Sequence, residues 1–244
     1  MKKLFLLFCL VALTLGIKAQ NQVTLRDVSR GTYRASNIYG IKPMLDGQYY
    51  TQISPDRKRI VKYSFKTGKQ VEAIFDVEKA RDCTLKYFDD YIMSPDEKLI
   101  LIQTKTRSIY RRSFTAEYYI YNVKNNTIEP LSKNGPQQVP LFSPDGFQVA
   151  FVRNNNIFLV KLLFGNSESQ ITKDGEYNKV LNGSPDWVYE EEFGFNRAFD
   201  FSADSKMIAY IRFDESQVPM YKFPLYKGMN PEYTEFATYP GEYT

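Results

Sequence analysis

The chain has 244 residues, of which 43% are hydrophobic and 25% are charged, a composition typical of a globular protein with a sizeable core. This composition excludes a disordered or fibrous protein. The formal charge is +4, and basic residues form only short runs such as residues 57–59, so we expect no nucleic-acid partner. Because the chain has no histidine and two cysteines, the usual zinc sites are excluded, and we expect no metal or cofactor.

Residues 1–19 have the layout of a secretory signal peptide. Lys2 and Lys3 precede an apolar run over residues 4–17, and Ala19 is a small residue suited to cleavage. The run is shorter than the roughly 20 residues of a membrane-spanning helix, although a retained anchor remains an alternative. We therefore expect a mature chain that starts at residue 20 and is periplasmic or secreted. Cys83 would be its one cysteine, which rules out an internal disulfide.

A short turn motif recurs four times along the chain. Ser-Pro-Asp occupies residues 54–56, 94–96 and 143–145, and Ser-Ala-Asp occupies residues 202–204, at spacings of 40, 49 and 59 residues. Proline presets the backbone for a turn and aspartate can hydrogen-bond to it, and each copy precedes a β-rich run. Units of this length with one turn motif each are typical of four-stranded propeller blades.

The runs around these motifs predict short strands joined in hairpins. We expect strands at residues 99–102, 118–121, 148–152, 157–160 and 207–211, with turns at residues 124–126 and 154–156. Aromatic residues make up 16% of the chain, and we expect their rings to fill the space between neighbouring sheets. The predicted fold class is all-β, a β-propeller of four-stranded blades with about four blades present, which is an incomplete ring.

An acidic segment at residues 186–193 interrupts this strand pattern. Insertions in repeat arrays usually form loops on a binding face, so we expect a loop here. The three carboxylates at residues 190–192 repel one another unless a cation lies among them, and an α-ammonium group would suit. Trp187, Tyr189 and Phe193 indicate that the segment is anchored to the protein body. Two other interpretations remain open, a solvated acidic turn and a calcium site, although the spaced oxygen ligands of calcium are missing.

Residues 186–193 read Asp-Trp-Val-Tyr-Glu-Glu-Glu-Phe and resemble a signature of the dipeptidyl peptidase IV family. Residues 111–116, Arg-Arg-Ser-Phe-Thr-Ala, are similar to a strand of the same family, and the resemblance covers roughly residues 25–244. It implies that residues 20–244 form the N-terminal part of an eight-bladed propeller. The sequence has no histidine and no Gly-x-Ser-x-Gly motif, so we expect the α/β-hydrolase catalytic domain to be absent from this truncated chain, which alone would be inactive.

The resemblance also assigns roles to individual residues. Glu191 and Glu192 would bind the free amino terminus of a peptide substrate, and Arg111 would orient the peptide carbonyl and balance the acidic charge. Supporting roles fall to three neighbours, Trp187, Tyr189 and Glu190. The implied function is substrate recognition for a serine exopeptidase that releases N-terminal dipeptides and prefers proline or alanine in second place. The full-length protein would be a possible homodimer.

A non-catalytic periplasmic propeller that binds a protein partner is the alternative function. The turn repeat supports this alternative equally well. A partner-binding propeller has no need of acidic residues that face Arg111, so the distance between Arg111 and residues 190–192 discriminates between the two hypotheses.

Overall fold

The computed structural model describes residues 22–35, 39–227 and 230–237, in two compact units that divide after Tyr39. The first unit contains helix α1 (Leu25–Arg30). Thr24 and Asp27 cap its first turn reciprocally, and Gly31 ends it in the left-handed conformation. The predicted signal peptide at residues 1–19 lies outside the described residues. Within the described part, no helix combines the length and apolar character needed to cross a bilayer.

The second unit is built from antiparallel β-sheets, which confirms the predicted all-β class. Three consecutive sheets have four strands each. Their strands are β1 (Lys42–Pro43), β2 (Tyr49–Ile53), β3 (Arg59–Ser64) and β4 (Gln70–Asp76); β5 (Asp90–Met93), β6 (Leu99–Ser108), β7 (Phe114–Asn122) and β8 (Thr127–Pro130); and β9 (Gln138–Phe142), β10 (Gln148–Arg153), β11 (Asn156–Lys161) and β12 (Ser167–Gln170). The described strands do not close into a ring.

The serine turns have the same hydrogen bonds in every copy. In the second copy Ser94 Oγ donates to Asp96 Oδ1 at 2.8 Å and accepts from the Leu99 N–H at 2.9 Å. Equivalent pairs of contacts occur at Ser54, Ser143 and Ser202. Because the hydroxyl bridges the two ends of the turn, the motif fixes a tight connection between adjacent strands.

The first sheet is offset by one strand from the other two. Its serine turn joins the second and third strands, whereas in the next two sheets the turn joins the first and second. The offset arises because the two-residue strand β1 pairs with β2 on its free side. From β1, Lys42 Nζ reaches Asp90 Oδ1 on β5 at 2.6 Å and lies 4.0 Å from the centre of the Tyr91 ring. The added strand therefore ties the first sheet to the second.

Buried rings pack between neighbouring sheets, as the aromatic content predicted. Phe75 on β4 meets Tyr121 on β7, with ring centres 4.8 Å apart. Between the second and third sheets, Phe151 stacks on Phe158 and belongs to a buried cluster with Tyr118 and Leu101. The core of the second unit is thus a series of layers between sheets.

The region after the third sheet is less regular. A 3-10 turn (Leu162–Phe164) joins β11 to β12, and beyond β12 the described chain forms helix α2 (Trp187–Phe193) and three two-stranded sheets. The strands are β13 (Val180–Asn182) paired with β16 (Arg212–Asp214), β14 (Phe199–Phe201) paired with β15 (Ile208–Tyr210), and β17 (Met220–Lys227) paired with β18 (Asn230–Ala237). The predicted strand at residues 207–211 is therefore shorter than expected.

Candidate functional site

The acidic segment is a short helix, not the predicted loop. Asp186 caps its N-terminus, since its Oδ1 accepts from the Tyr189 N–H at 2.8 Å. Gly194 ends it in the left-handed conformation and donates its N–H to the Glu190 carbonyl. The caps at both ends and contacts to the body explain how seven residues hold a helix that would be unstable alone.

Glu190 is the buried member of the triplet, with only 1% of its surface exposed. Its Oε1 accepts from the backbone N–H groups of Arg112 at 2.6 Å and Ser113 at 2.9 Å. Arg112 returns the contact, because its Nη1 donates to the Glu190 carbonyl at 3.1 Å. Asn196 Nδ2 also donates to the Arg112 carbonyl. Glu190 therefore holds the turn at residues 109–113 against α2 and is not available to a ligand in solution.

Arg111 lies on this same turn, just before β7. The family resemblance had implied a position on a strand. Its Nε lies 3.1 Å from Glu191 Oε2, so the structure brings together two of the predicted site residues. The Arg111 side chain is 73% exposed and that of Glu191 is 21% exposed. An exposed pair of this kind contributes at most about 1 kcal/mol to stability, so its main effect is to balance charge at the surface.

Glu192 is exposed and makes no ion pair within the described part of the chain. It follows Glu191 near the C-terminal end of α2, where the helix dipole is negative. Carboxylates at this end are unfavourable by roughly 0.3–1 kcal/mol each. A cation between Glu191 and Glu192 would relieve both this effect and their mutual repulsion.

The two aromatic residues with predicted supporting roles have different surroundings. Tyr189 packs between Phe193 and Phe213, with ring centres 5.2 and 5.0 Å away. This contact ties α2 to β16, in agreement with the expected anchoring. Trp187 is half-buried and lines a cavity beside the helix.

This cavity contains a functional candidate that sequence reasoning missed, Glu215. It directly follows β16, is 6% exposed, and its backbone N–H donates to the Lys179 carbonyl at 2.6 Å. Burial, and then the charge of Asp186, raise the pKa of Glu215 to about 7. Burial also raises the pKa of Tyr110 in the same cavity to about 12. A single acidic residue after a strand carries no sequence signal, because its burial depends on the β13–β16 pairing.

Groups of three or more acidic, cysteine or histidine side chains suited to a metal ion do not occur among the described residues. The calcium interpretation of the acidic segment therefore lacks the cluster of three carboxylates that would support it in this part of the chain. Glu190 is occupied by backbone donors, which leaves only Glu191 and Glu192 of the triplet to face a ligand.

Comparison with known proteins finds relatives of this chain. Dipeptidyl peptidase 4 from Porphyromonas gingivalis has a solved structure that is 42% identical, with a TM-score of 0.81 over 90% of this chain and 32% of that chain. Human prolyl endopeptidase FAP is 32% identical over 84% of this chain and 26% of its own length. Dipeptidyl peptidase 4 from Trichophyton equinum is 32% identical over 80% of this chain and 24% of its own length.

The chain thus spans about a quarter of the length of these curated relatives. The family model described as the dipeptidyl peptidase IV N-terminal region matches residues 94–243, which include the turn with Arg111, helix α2 and Glu215. The chain belongs to the dipeptidyl peptidase IV family and corresponds to its N-terminal, β-propeller region.

Proposed function

We propose that this chain is the substrate-recognition part of a serine exopeptidase that releases dipeptides from the amino terminus of peptides. In this proposal Glu191 and Glu192 share the substrate's α-ammonium group, and Arg111 orients a peptide carbonyl. The ammonium has three donors, so two carboxylates can bind it at once. A preference for proline or alanine in second place belongs to the same proposal.

The contact between Arg111 and Glu191 is the observation that carries the proposal. It joins a turn and a helix separated by about 80 residues of sequence, and it leaves both side chains accessible. A partner-binding propeller would not require this pairing, so the contact favours peptide recognition over the alternative. The buried Glu190 adds support, because its Oε1 accepts two backbone N–H groups and so holds the turn against the helix.

A fixed ammonium site would determine the position of cleavage by its distance from the first residue of the substrate. If the nucleophile lies at a set distance from Glu191 and Glu192, cleavage follows the second residue, and longer N-terminal extensions do not fit. The chain contains no histidine, so in this proposal residues outside it supply the acid and base of a serine triad, and residues 1–244 alone are inactive.

The proposal includes the setting in which the protein works. A signal peptide at residues 1–19 would place it in the periplasm or outside the cell, where free peptides are available. The longer protein would form a homodimer. Amino-terminal sequencing of the exported protein and its mass in solution test these two points directly.

Peptide binding tests the recognition role without any need for catalysis. We expect an Ala-Pro-Ala-Ala peptide with a free amino terminus to bind the chain about tenfold or more tightly than its N-acetylated form, measured by isothermal titration calorimetry. Glu191→Ala and Glu192→Ala should each abolish that difference. Exposed Glu129 lies on β8 away from α2, so Glu129→Gln is the matched control that should keep it.

Equal binding of the free and acetylated peptides to the wild-type chain would contradict the proposal. In a longer protein that contains this chain together with a peptidase domain, the same Glu191→Ala change should lower dipeptide release about a hundredfold or more with the fold intact. Unchanged kinetics there would contradict the assignment of Glu191.

A further inference from the structure

A cavity of about 290 Å³ lies beside the N-terminal end of α2. Its walls include the turn before β7 with Tyr110, the start of α2 with Asp186 and Trp187, the chain around β13 and β16 with Tyr177 and Glu215, and part of the third sheet. Glu191 and Glu192 are not among its described lining residues. The cavity is therefore a feature separate from the proposed ammonium site, although both contact the same helix.

Glu215 is the unusual group in this cavity. Glu215 is only 6% exposed, and within the described part of the chain neither a hydrogen-bond donor nor a cation pairs with its carboxylate. A buried carboxylate without a partner is costly, because it loses water and gains nothing in return. Such a group is well suited to a partner of opposite charge.

The chemistry of the cavity selects a cation. None of its described lining residues is basic, and Asp186 adds a second carboxylate, 3% exposed, whose charge acts on Glu215. The rings of Tyr110, Tyr177 and Trp187 also line it, and aromatic faces attract ammonium and guanidinium groups. With two acidic residues and three aromatic rings, the lining suits neither an anion nor a purely apolar ligand.

We propose that this cavity binds an organic cation, a primary ammonium or guanidinium group, with Glu215 as its principal partner. The cation is either a free small amine or the side chain of a lysine or arginine in a peptide. The volume is close to the lower end of small-molecule pockets, about 300 Å³, which suits a short alkyl chain with a charged head. A bare metal ion suits it less well, because no cluster of three ligating side chains occurs in the described part.

Proton linkage gives the proposal a second signature. Glu215 is faced by Asp186 from α2, by Tyr110 from the turn before β7 and by Tyr177 from the chain before β13. Tyr110 stays neutral at ordinary pH, because burial raises its pKa to about 12. Since Glu215 must ionise to pair with a cation and its pKa is about 7, cation affinity should rise between about pH 6 and pH 8, with release of a proton on binding near pH 7.

Titration of the whole chain with n-butylammonium chloride tests the site, by calorimetry at about pH 8 and with n-butanol as the neutral analogue of the same size. We expect saturable binding of the ammonium ion, retained when Glu191→Gln and Glu192→Gln together remove the proposed α-ammonium site, and no binding of the alcohol. Glu215→Gln should weaken the ammonium affinity about tenfold or more. Circular dichroism of the variant shows whether the fold is retained, and Glu129→Gln is the control for removal of an exposed carboxylate.

Two further experiments distinguish the cavity from the proposed ammonium site and free amines from peptide side chains. The Glu191→Gln, Glu192→Gln double variant should keep the butylammonium binding that depends on Glu215; loss of all binding in this double variant, with none lost in Glu215→Gln, would place the cation at the ammonium site and overturn the proposal. Nα-acetyl-lysine amide, which has no free amino terminus, should bind if the cavity accepts a peptide side chain. Binding of butylammonium alone would assign the cavity to free amines.

The proposal is overturned if wild-type and Glu215→Gln chains bind butylammonium equally, if n-butanol binds as well as the ammonium ion, or if affinity falls as the pH rises from 6 to 8. Because the double variant removes the contribution of Glu191 and Glu192, failure at the cavity leaves the proposed exopeptidase role intact, and the reverse also holds.

Discussion

The second and third sheets and the region after them use the same turn motif with different results. In the sheets of β5–β8 and β9–β12, the serine turn joins two strands of a complete four-stranded sheet. After β12, the turn at Ser202 joins only the short pair β14 and β15, while β13 pairs with β16 on its own. Helix α2 lies in the chain between β13 and β14.

The difference shows what the turn specifies and what it leaves open. The serine hydroxyl fixes one hairpin, as it does at Ser94 and Ser202 alike. A complete sheet also needs neighbouring strands with buried side chains, which the region from β13 to β16 has only in part. That region instead carries α2, Glu190 and Glu215, so the break in sheet regularity coincides with the candidate sites.

The largest effect on stability is expected in the regular sheets. Phe151 on β10 is fully buried and stacks on Phe158, with ring centres 5.7 Å apart. Phe151→Ala should lower the free energy of unfolding by about 3–5 kcal/mol, because it removes a ring from a close-packed layer. Urea denaturation measures the change.

Phe147 provides the matched control for this variant, since it lies one residue before β10 and is 49% exposed. Phe147→Ala should cost less than about 1 kcal/mol. Similar losses in the two variants would mean that the layer around Phe151 is not packed as described.

The next largest effect on stability is expected at Glu190, which joins helix α2 of the irregular region to the turn between β6 and β7. Glu190→Ala leaves the N–H groups of Arg112 and Ser113 without their acceptor and should cost about 2–3 kcal/mol. It should also release the turn that carries Arg111, so the preference for a free over an acetylated amino terminus should shrink. Glu190→Gln keeps an oxygen acceptor, so it should retain more of the stability and more of the preference for a free amino terminus. A Glu190→Ala variant as stable as wild type would contradict this role of Glu190.

Glu215 should make the irregular region sensitive to pH. Its folded pKa of about 7 lies above the ordinary value of 4.5, so between these values the folded state keeps a proton that the unfolded state has lost. Stability should therefore fall as the pH rises from about 4.5 to 7 and then level off. Glu215→Gln should be as stable as wild type near pH 4 and more stable near pH 8, on the order of 2 kcal/mol.

Thermal unfolding across this pH range tests the expectation, with Glu129→Gln as the control. A Glu215→Gln variant whose stability follows the wild-type pH profile would show that the carboxylate is already paired. A profile that rises with pH would contradict the sign of the shift.

The smallest effects compare the same turn in the two regions. Ser94 is buried and Ser202 half-buried, and each bridges its turn through equivalent hydrogen bonds. Ser94→Ala should cost about 1–2 kcal/mol and Ser202→Ala about 0.5 kcal/mol, since water can replace the exposed hydroxyl more easily. A larger loss of stability for Ser202→Ala than for Ser94→Ala would contradict the expectation that the turn matters more in the regular sheet.

The hairpins were predictable because their signals are local. Asn154 and Asn155 have positive φ angles of 49° and 58° and turn the chain where predicted, although Asn156 already belongs to β11. The turn at residues 124–126 likewise follows β7 as expected. In these places the residues that make the turn are neighbours in sequence.

The candidate sites were less predictable because they depend on distant contacts. Seven residues are too few to show helical periodicity, so α2 had no clear signal in its own sequence. The three glutamates are chemically identical, and only the packing against residues 112 and 113 distinguishes buried Glu190 from Glu191 and Glu192. The family resemblance supplied the partnership of Arg111 with the triplet, which spacing alone did not indicate.

The most direct test of the central claim is a binding cycle that pairs the substrate amine with its proposed carboxylates. Ala-Pro-Ala and an analogue with propionyl in place of the first alanine differ only in the amino group. We predict that the wild-type chain prefers the amine about tenfold or more, and that the Glu191→Gln, Glu192→Gln double variant shows no preference. An equal preference in both proteins would contradict recognition of the amino terminus by Glu191 and Glu192.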